Sequence, residues 1–572
     1  MDEQMDISSE RVDDIPLIVE LLKQMEIAKW IDQQLKQPHG NHQGMSYGQL
    51  SVLLLTYIIT QSDHRLCTAE EWINLHRQTL EMTTGWLIGG KDVTDDRLAR
   101  VVEEFGLQED ACQGIEQKVG RHMIRAYELP TEVGRVDTTS FSVHHEQIES
   151  EADSLLRYGH SKDKRPDLLQ YRQLLGTLDT AGIPLVSATL AGNGADDPLY
   201  WPTWQRMVKV IGHKQFVFLA DCKAAAMATR AQISAADGIY CLPLPLNGNN
   251  PLLLKQWVLA PPTTSIDIRL PTQEEDEPPV GKGFEVELGK FWLNPDTKKC
   301  VTWHERYLVV YSNTLAIAQL RGLHERLDKA QAALGKLQQK PGEDLDILNA
   351  SIEAILKRYR VKEFLIVTTT ATTITQTRYV NKGRPTANSP TQEVTNVQLN
   401  LKIDRQTQAI EEAEQLTGWR LYVTNAPITR LSLTQAIVYY RDQWILERGF
   451  HRFKRGQLPA LPIYFQNQDR IVGLMFLLTL ALRVFTLIEF VVRLALKTSQ
   501  QKLAGLYDGN PKRTTERPSA EQLLRAFDDI TLYLLPDNSI FVTTLSALHR
   551  QILSLLKLPE SIYHLHLKPR KT

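Results

Sequence analysis

The spacing of apolar residues changes character along the chain, and each change predicts a different kind of element. Up to about residue 130 the apolar positions recur at helical intervals. Leu17, Val19, Leu21 and Leu22 share one amphipathic segment, and the run 45–59 is more fully apolar. Thr68-Ala-Glu-Glu71 has the form of a capping box ahead of Trp72 and Ile73, and Thr94-Asp-Asp opens a further helix. Short helices of this kind suit a DNA reader, and equally a plain helical domain.

From residue 131 the period shortens to that of strands. A short apolar run ends at Asp137, in Val133-Gly-Arg-Val136-Asp137-Thr-Thr-Ser140. The segments 171–179 and 184–190 read as two more strands, joined by a turn at Thr180-Ala-Gly-Ile183. A helix over 201–211 leads to a fourth strand, Gln215-Phe-Val-Phe-Leu-Ala-Asp221. Residues 236–415 then intervene, with an exposed loop at Glu274-Glu-Asp-Glu-Pro-Pro279, strand-like runs at 284–288, 306–311 and 364–370, and helices at 313–339 and 344–360 broken at Pro341-Gly342. A stretch this long is a subdomain rather than a loop. A strand at 418–425 follows, and Ser432 is placed to cap the helix that carries Glu447. The apolar stretch 471–496 packs behind it; beyond 497 come a polar segment, a helix at 545–556 and the basic tail Lys568-Pro-Arg-Lys-Thr572.

These readings predict a mixed α/β chain of five parts: helical 1–130, a core begun at 131–235 and completed at 416–496, an insertion at 236–415 and a C-terminal helical tail at 497–572. A length of 572 residues agrees with several domains. With 42% apolar and 23% charged residues the composition is that of an ordinary globular protein. The net charge of −2 does not announce a polyanion partner, but binding nucleic acid needs only a local basic surface. One basic cluster holds Arg157, His160, Lys162, Lys164, Arg165 and Arg172, with Asp163 as an internal ion-pair partner. Another holds Arg441, Arg448, Arg452, Lys454 and Arg455. Each reads either as a solvated face or as a phosphate-binding one. The five cysteines are scattered without a CxxC pair, which argues against a disulfide framework or a zinc site and suits a reducing cytoplasm. The acidic start Met1-Asp-Glu-Gln-Met-Asp6 is not a signal peptide. Arg483, Glu489 and Arg493 interrupt the longest apolar stretch, so it is expected inside the protein rather than in a membrane.

The strongest chemical signal lies at 440–454. Tyr440, Glu447 and Lys454 are seven residues apart, with Trp444 and His451 between them. On one continuous helix these side chains share a face. A carboxylate, aromatic rings and a cation on one face suit a site that handles a metal and a nucleic-acid strand. Asp137 and Asp221, each closing a strand-like run, supply two more carboxylates. Three such groups can hold two divalent ions, which drive in-line phosphoryl transfer when about 3.5–4 Å apart.

This pattern resembles the DDE transposases of bacterial insertion sequences, in particular the branch with the signature Tyr-x2-Arg-x3-Glu-x6-Lys. Tyr440, Glu447 and Lys454 fall on that spacing, and Gln443 stands where the signature has arginine. Gln443 can hydrogen-bond a phosphate but adds no charge; Arg441 and Arg448 are near enough to substitute. Gly159-His-Ser-Lys-Asp-Lys-Arg-Pro-Asp-Leu168 and Gly192-Asn-Gly-Ala-Asp196 look like family segments beside the active site. The resemblance extends over about 131–496 and implies an RNase H-like core interrupted by the insertion.

It further implies that Asp137, Asp221 and Glu447 are the catalytic ligands of two Mg2+ ions, with Mn2+ as a substitute. The reaction would be cleavage of element-end DNA and strand transfer into target DNA, by cut-and-paste and through a hairpin, in a homodimer, in the bacterial cytoplasm at the nucleoid. No membrane and no small-molecule cofactor is expected. Residues 1–130 are expected at the DNA end. The DNA contacts are expected from Tyr440, Gln443, Trp444, Arg448, His451, Lys454, Lys162 and Arg165. Lys454 would meet phosphate, Tyr440 would position the strand end, and Trp444 would stack on an unpaired base or else sit in the core. Asp196 and Asp197 read as a solvated loop rather than extra acidic neighbours. Two other classes remain: a nuclease of the same fold without strand transfer, and a domesticated, non-catalytic DNA-binding protein, against which the three carboxylates argue.

Overall fold

The computed structural model of the chain describes residues 8–37, 44–145, 154–162, 164–337, 345–380, 390–537 and 539–566. Asp163, the break at Pro341-Gly342, the acidic start and the basic tail lie outside the described residues.

A nine-stranded sheet organises the molecule. Its first five strands in chain order are β1 (Val133–Val143), β2 (Leu169–Leu178), β3 (Ile183–Ala191), β4 (Val217–Leu219) and β5 (Ile239–Pro243). In space they run β3-β2-β1-β4-β5. The first three are antiparallel neighbours, whereas β4 joins β1, and β5 joins β4, in parallel. Parallel neighbours need a crossover; the chain reaches β4 from β3 through helix α1 (Tyr200–Ile211), and β5 from β4 through the helix Met227–Ala235. This is the arrangement expected of an RNase H-like core. The hairpin at 180–183 forms as a single helical turn, Asp179–Gly182, between β2 and β3.

The sheet continues on its other side. Strands β6 (Ile266–Ile268), β7 (Gly281–Leu293) and β8 (Cys300–Ser312) add to it, and the late strand Trp419–Thr424 inserts between β5 and β8. The stretch 236–415 is therefore not a single inserted body. Its first strand, β5, completes the core and β6–β8 widen the same sheet. Only 313–415 has a separate apolar core. There α2 (Asn313–Leu337) and α3 (Leu345–Tyr359) pack Leu327, Leu334 and Ile352 beneath the ribbon of β9 (Leu365–Tyr379) and β10 (Thr391–Arg405).

The strand Trp419–Thr424, β11, is followed by α4 (Leu433–Arg441), α5 (Trp444–Arg455) and α6 (Gln468–Ser499). By length and composition α6 passes for a membrane span, yet 94% of its most apolar window is buried within the protein. The charges that interrupt it each find an internal partner. The Arg483 guanidinium donates to the Leu185 carbonyl at 2.7 Å. Glu489 accepts from Arg448 at 2.8 Å and Arg452 at 2.5 Å, and Arg493 lies 3.1 Å from it.

The helical N-terminal part packs directly on this centre. Helix Asp95–Leu107 crosses α6 so closely that a Cβ on Gly473 would lie 1.8 Å from the Val102 carbonyl oxygen, and one on Gly106 2.0 Å from that of Asp469. Glycine is required at both positions by contact, not by backbone conformation. Helix Leu66–Leu75 begins ahead of Thr68 with Arg65 as its cap, so the capping box read at 68–71 does not form. The C-terminal part is also more than a tail. Its strand Thr531–Leu534 pairs antiparallel with Ser8–Arg11, which ties the two ends of the chain into one small sheet.

Candidate active site

Strand register brings the two aspartates together. In the parallel pair of β1 and β4, Arg135 lies beside Leu219. The pairing ends there; Asp137 lies two residues further along β1 and Asp221 two residues past the end of β4, and the charge of Asp221 reaches Asp137. β1 does not end at Asp137 as the apolar run suggested; it continues to Val143 with β2 as its partner. Asp221 lies just past β4 and caps the short turn Cys222–Ala225, accepting from the Lys223 amide at 3.1 Å. Its Oδ1 also accepts the phenolic hydrogen of Tyr200 at 2.5 Å.

Helix α5 brings the third carboxylate. Leu446, Gly449, Phe450 and Phe453 form its buried stripe. A Cβ on Gly449 would lie 3.7 Å from Leu175, the strand partner of Asp137, so the helix lies close over that pair. Further along, the Lys454 ammonium sits 5.5 Å from the centre of the Phe141 ring, four residues beyond Asp137 on β1. Glu447 projects from the exposed side of the helix together with Trp444 and His451.

The face read as continuous from Tyr440 to Lys454 is in fact split between two helices. α4 ends at Arg441 and α5 begins at Trp444. The cause is packing. Leu433, Ala436 and Ile437 bury in a cluster with Val217, Leu219 and Leu308, whereas Leu446, Phe450 and Phe453 bury in the main core with α6. One straight helix cannot serve both. Ser432, with Gln435, caps α4 rather than the helix of Glu447. Tyr440 packs edge-on against Tyr422 at 4.8 Å, and burial pushes its phenol up to about 12, with Asp221 among the charges that add to this. Gln443 lines a small cavity with Tyr440, Arg135 and Leu446.

The electrostatics connect the three carboxylates. Burial raises the Asp137 carboxyl above its ordinary value; the negative charges of Asp221 and Glu447 push the same way, while Lys162 and the Thr138 amide oppose them. Lys162 Nζ lies 3.7 Å from Asp137 Oδ1 and also donates to the Thr138 carbonyl. A half-buried carboxylate that senses the charge of two others and is already attended by a cation suits a hard divalent ion. Among the described residues no three acidic, histidine or cysteine side chains stand close enough to hold a metal as they are placed. The donor set fits such an ion in its chemistry, and binding would require the carboxylates to draw together.

Of the other residues read as DNA contacts, Trp444 is 45% exposed, so it is not a core residue. His451 is exposed as well. Arg448 turns inward to Glu489. Arg165 pairs with Asp167 at 2.7 Å on the surface. Asp196 is corrected outright. It is only 5% exposed and bound to Arg172 and Lys223, because those cations from β2 and from the turn after Asp221 close over it. Asp197 is exposed, as read. Tyr200 and Lys223 went unread, although Lys223 stands only two residues beyond Asp221.

A family model described as the transposase DDE domain matches residues 128–484. No curated protein matches the chain.

Proposed function

Since the chain belongs to the transposase DDE-domain family, we propose that it cuts the ends of a mobile DNA element and joins them to target DNA. The observation that carries this reading is the approach of Asp137, Asp221 and Glu447 from a strand, a strand end and a helix, near enough that Asp137 senses the charges of both others. Two Mg2+ ions bound there would activate a water or a DNA 3′-hydroxyl and stabilise the leaving oxygen.

The chain's own residues prepare that chemistry. Tyr200 and the Lys223 amide fix the Asp221 carboxylate. The Thr138 amide, 2.7 Å from Asp137 Oδ1, fixes the first aspartate. Lys162, 3.7 Å from Asp137 Oδ1, offsets the charge of that carboxylate, and its ammonium would suit a DNA phosphate brought to the site. Lys454, held beside β1, offers a point charge to phosphate near the cut. Trp444, exposed at the start of α5, offers a stacking surface for an unpaired base. A homodimer bridging two element ends, a hairpin on the element end and DNA-end contacts from residues 1–130 complete the proposal.

The test is cleavage of supercoiled plasmid and of candidate element-end DNA, in Mg2+ and in EDTA, by the wild-type chain and by Asp221→Ala. Mg2+-dependent nicks, hairpins and joined products that vanish in the variant are expected. Cleavage without any joined product would point to a nuclease instead. Binding without cleavage on genuine element ends would overturn the catalytic reading.

A further inference from the structure

Asp196 sits between β3 and α1, at the start of the one-turn helix Asp197–Leu199. Its Oδ1 accepts the Thr138 hydroxyl at 3.2 Å and the Arg172 guanidinium. Its Oδ2 accepts the Lys223 ammonium at 2.7 Å. Thr138 directly follows Asp137, and Lys223 stands two residues after Asp221. One buried carboxylate therefore grips a neighbour of each catalytic aspartate. Four residues on, Tyr200 grips Asp221 itself. Arg172 is anchored in turn, its Nε donating to the Ala191 carbonyl at 3.0 Å.

Two other roles fit these contacts less well. Both Asp196 oxygens are already engaged by two cations and a hydroxyl, so the group does not face a metal as a fourth ligand. A plain fold-stabilising pair does not account for the second cation, a half-exposed lysine that also senses the charge of Asp221. Without Asp196, the carboxylates left to attract the Lys223 ammonium are Asp221 and Asp197, and the first of these is a proposed metal ligand.

We infer that Asp196 is a positioning residue: it fixes Thr138 behind Asp137 and holds the Lys223 ammonium away from Asp221, which keeps both aspartates open to divalent cations. The inference rests on the proposed metal-dependent reading of the site.

The test measures Mn2+ binding to the full-length chain by the electron paramagnetic resonance signal of free Mn2+, without DNA and without turnover. Asp196→Asn keeps the shape and removes the charge. Its Mn2+ dissociation constant is expected to rise about 10–100-fold, the range typical for losing a partner behind a metal ligand. Asp196→Asn combined with Lys223→Ala should recover most of that loss, which a merely structural role would not predict. Unchanged Mn2+ affinity in Asp196→Asn, or a double variant no better than the single one, overturns the inference. If Asp196→Asn does not fold, Thr138→Val removes only the hydroxyl contact and leaves the ion pairs; it should weaken Mn2+ binding, and unchanged binding overturns the inference. A wild-type chain that binds no Mn2+ overturns the metal reading itself, a result distinct from either.

Discussion

Tyr200 and Asp221 are joined by a 2.5 Å hydrogen bond, although one belongs to the crossover helix and the other to the strand end that the helix leads into. The phenol is fully buried, and burial first and the charge of Asp221 second push its ionisation far upward, so it keeps the proton it donates to Asp221. Hydrogen bonds to charged groups contribute about 1.5–3 kcal/mol. Tyr200→Phe keeps the ring and loses the donor. Plasmid cleavage should fall about tenfold, since about 1.4 kcal/mol is a factor of ten, with the fold intact by circular dichroism. A variant as active as wild type would show that Asp221 is held by other means.

Glu447→Gln changes one exposed side chain on a helix anchored elsewhere. It should fold and bind element-end DNA as the wild type does while losing nearly all cleavage. Gel-shift and cleavage assays on one preparation decide this; equal loss of binding and cleavage would argue against a metal-ligand role.

Trp444 is exposed, so Trp444→Ala should leave the melting temperature nearly unchanged. If it stacks on a base, affinity for element ends carrying an unpaired base should drop by about 1–3 kcal/mol, with fully paired duplex unaffected. Fluorescence anisotropy with the two DNAs gives the comparison.

Glu489 is fully buried on α6 and joins Arg448 and Arg452 of α5 to the amide of Ala520, 3.1 Å away. Removing one partner of a buried ion pair costs about 3–5 kcal/mol. Glu521, 2.8 Å from Arg452, offsets part of this. Glu489→Ala should therefore lower stability at or somewhat below that range in urea unfolding and impair cleavage through the helix of Glu447. Ordinary stability would show that Glu521 carries the network alone.

Asp14 is buried beside Asp13 and Asp528, and its carboxyl is pushed up to about 7, by burial first and by those charges second. The folded state thus holds this proton more tightly than the unfolded chain does. The resulting stability is fully present below the ordinary value of 3.8 and is lost as pH rises through about 7. Asp14→Asn should flatten the decline, so that its melting temperature exceeds that of wild type at pH 8 but not at pH 4. Parallel pH profiles for the two proteins would contradict the assignment.

The core strands were legible because each rests on a local pattern. Short apolar runs bounded by turn residues mark β1 to β4. The split between α4 and α5 was not legible. Apolar residues keep helical spacing on both sides of Asp442, and only the two separate cores they enter force the break. β5 was assigned to the insertion because its membership in the core depends on pairing with β4, which no local signal reports. Asp196 looked like a loop residue amid Gly192, Asn193 and Gly194; its burial comes from Arg172 and Lys223, both more than twenty residues away in sequence.

The pairing of Ser8–Arg11 with Thr531–Leu534 also sets a clock. At roughly 5–20 residues per second, synthesis reaches the second strand roughly half a minute to two minutes after the first has emerged. Until α6 is made the N-terminal helices lack their packing partner, and for about thirty residues more they still lack their closing strand. A chain stopped short of residue 531 would carry all three acidic residues yet leave the opening strand without its partner. The strand at 531–534, outside the stretch that the family model matches, is what lets the molecule close.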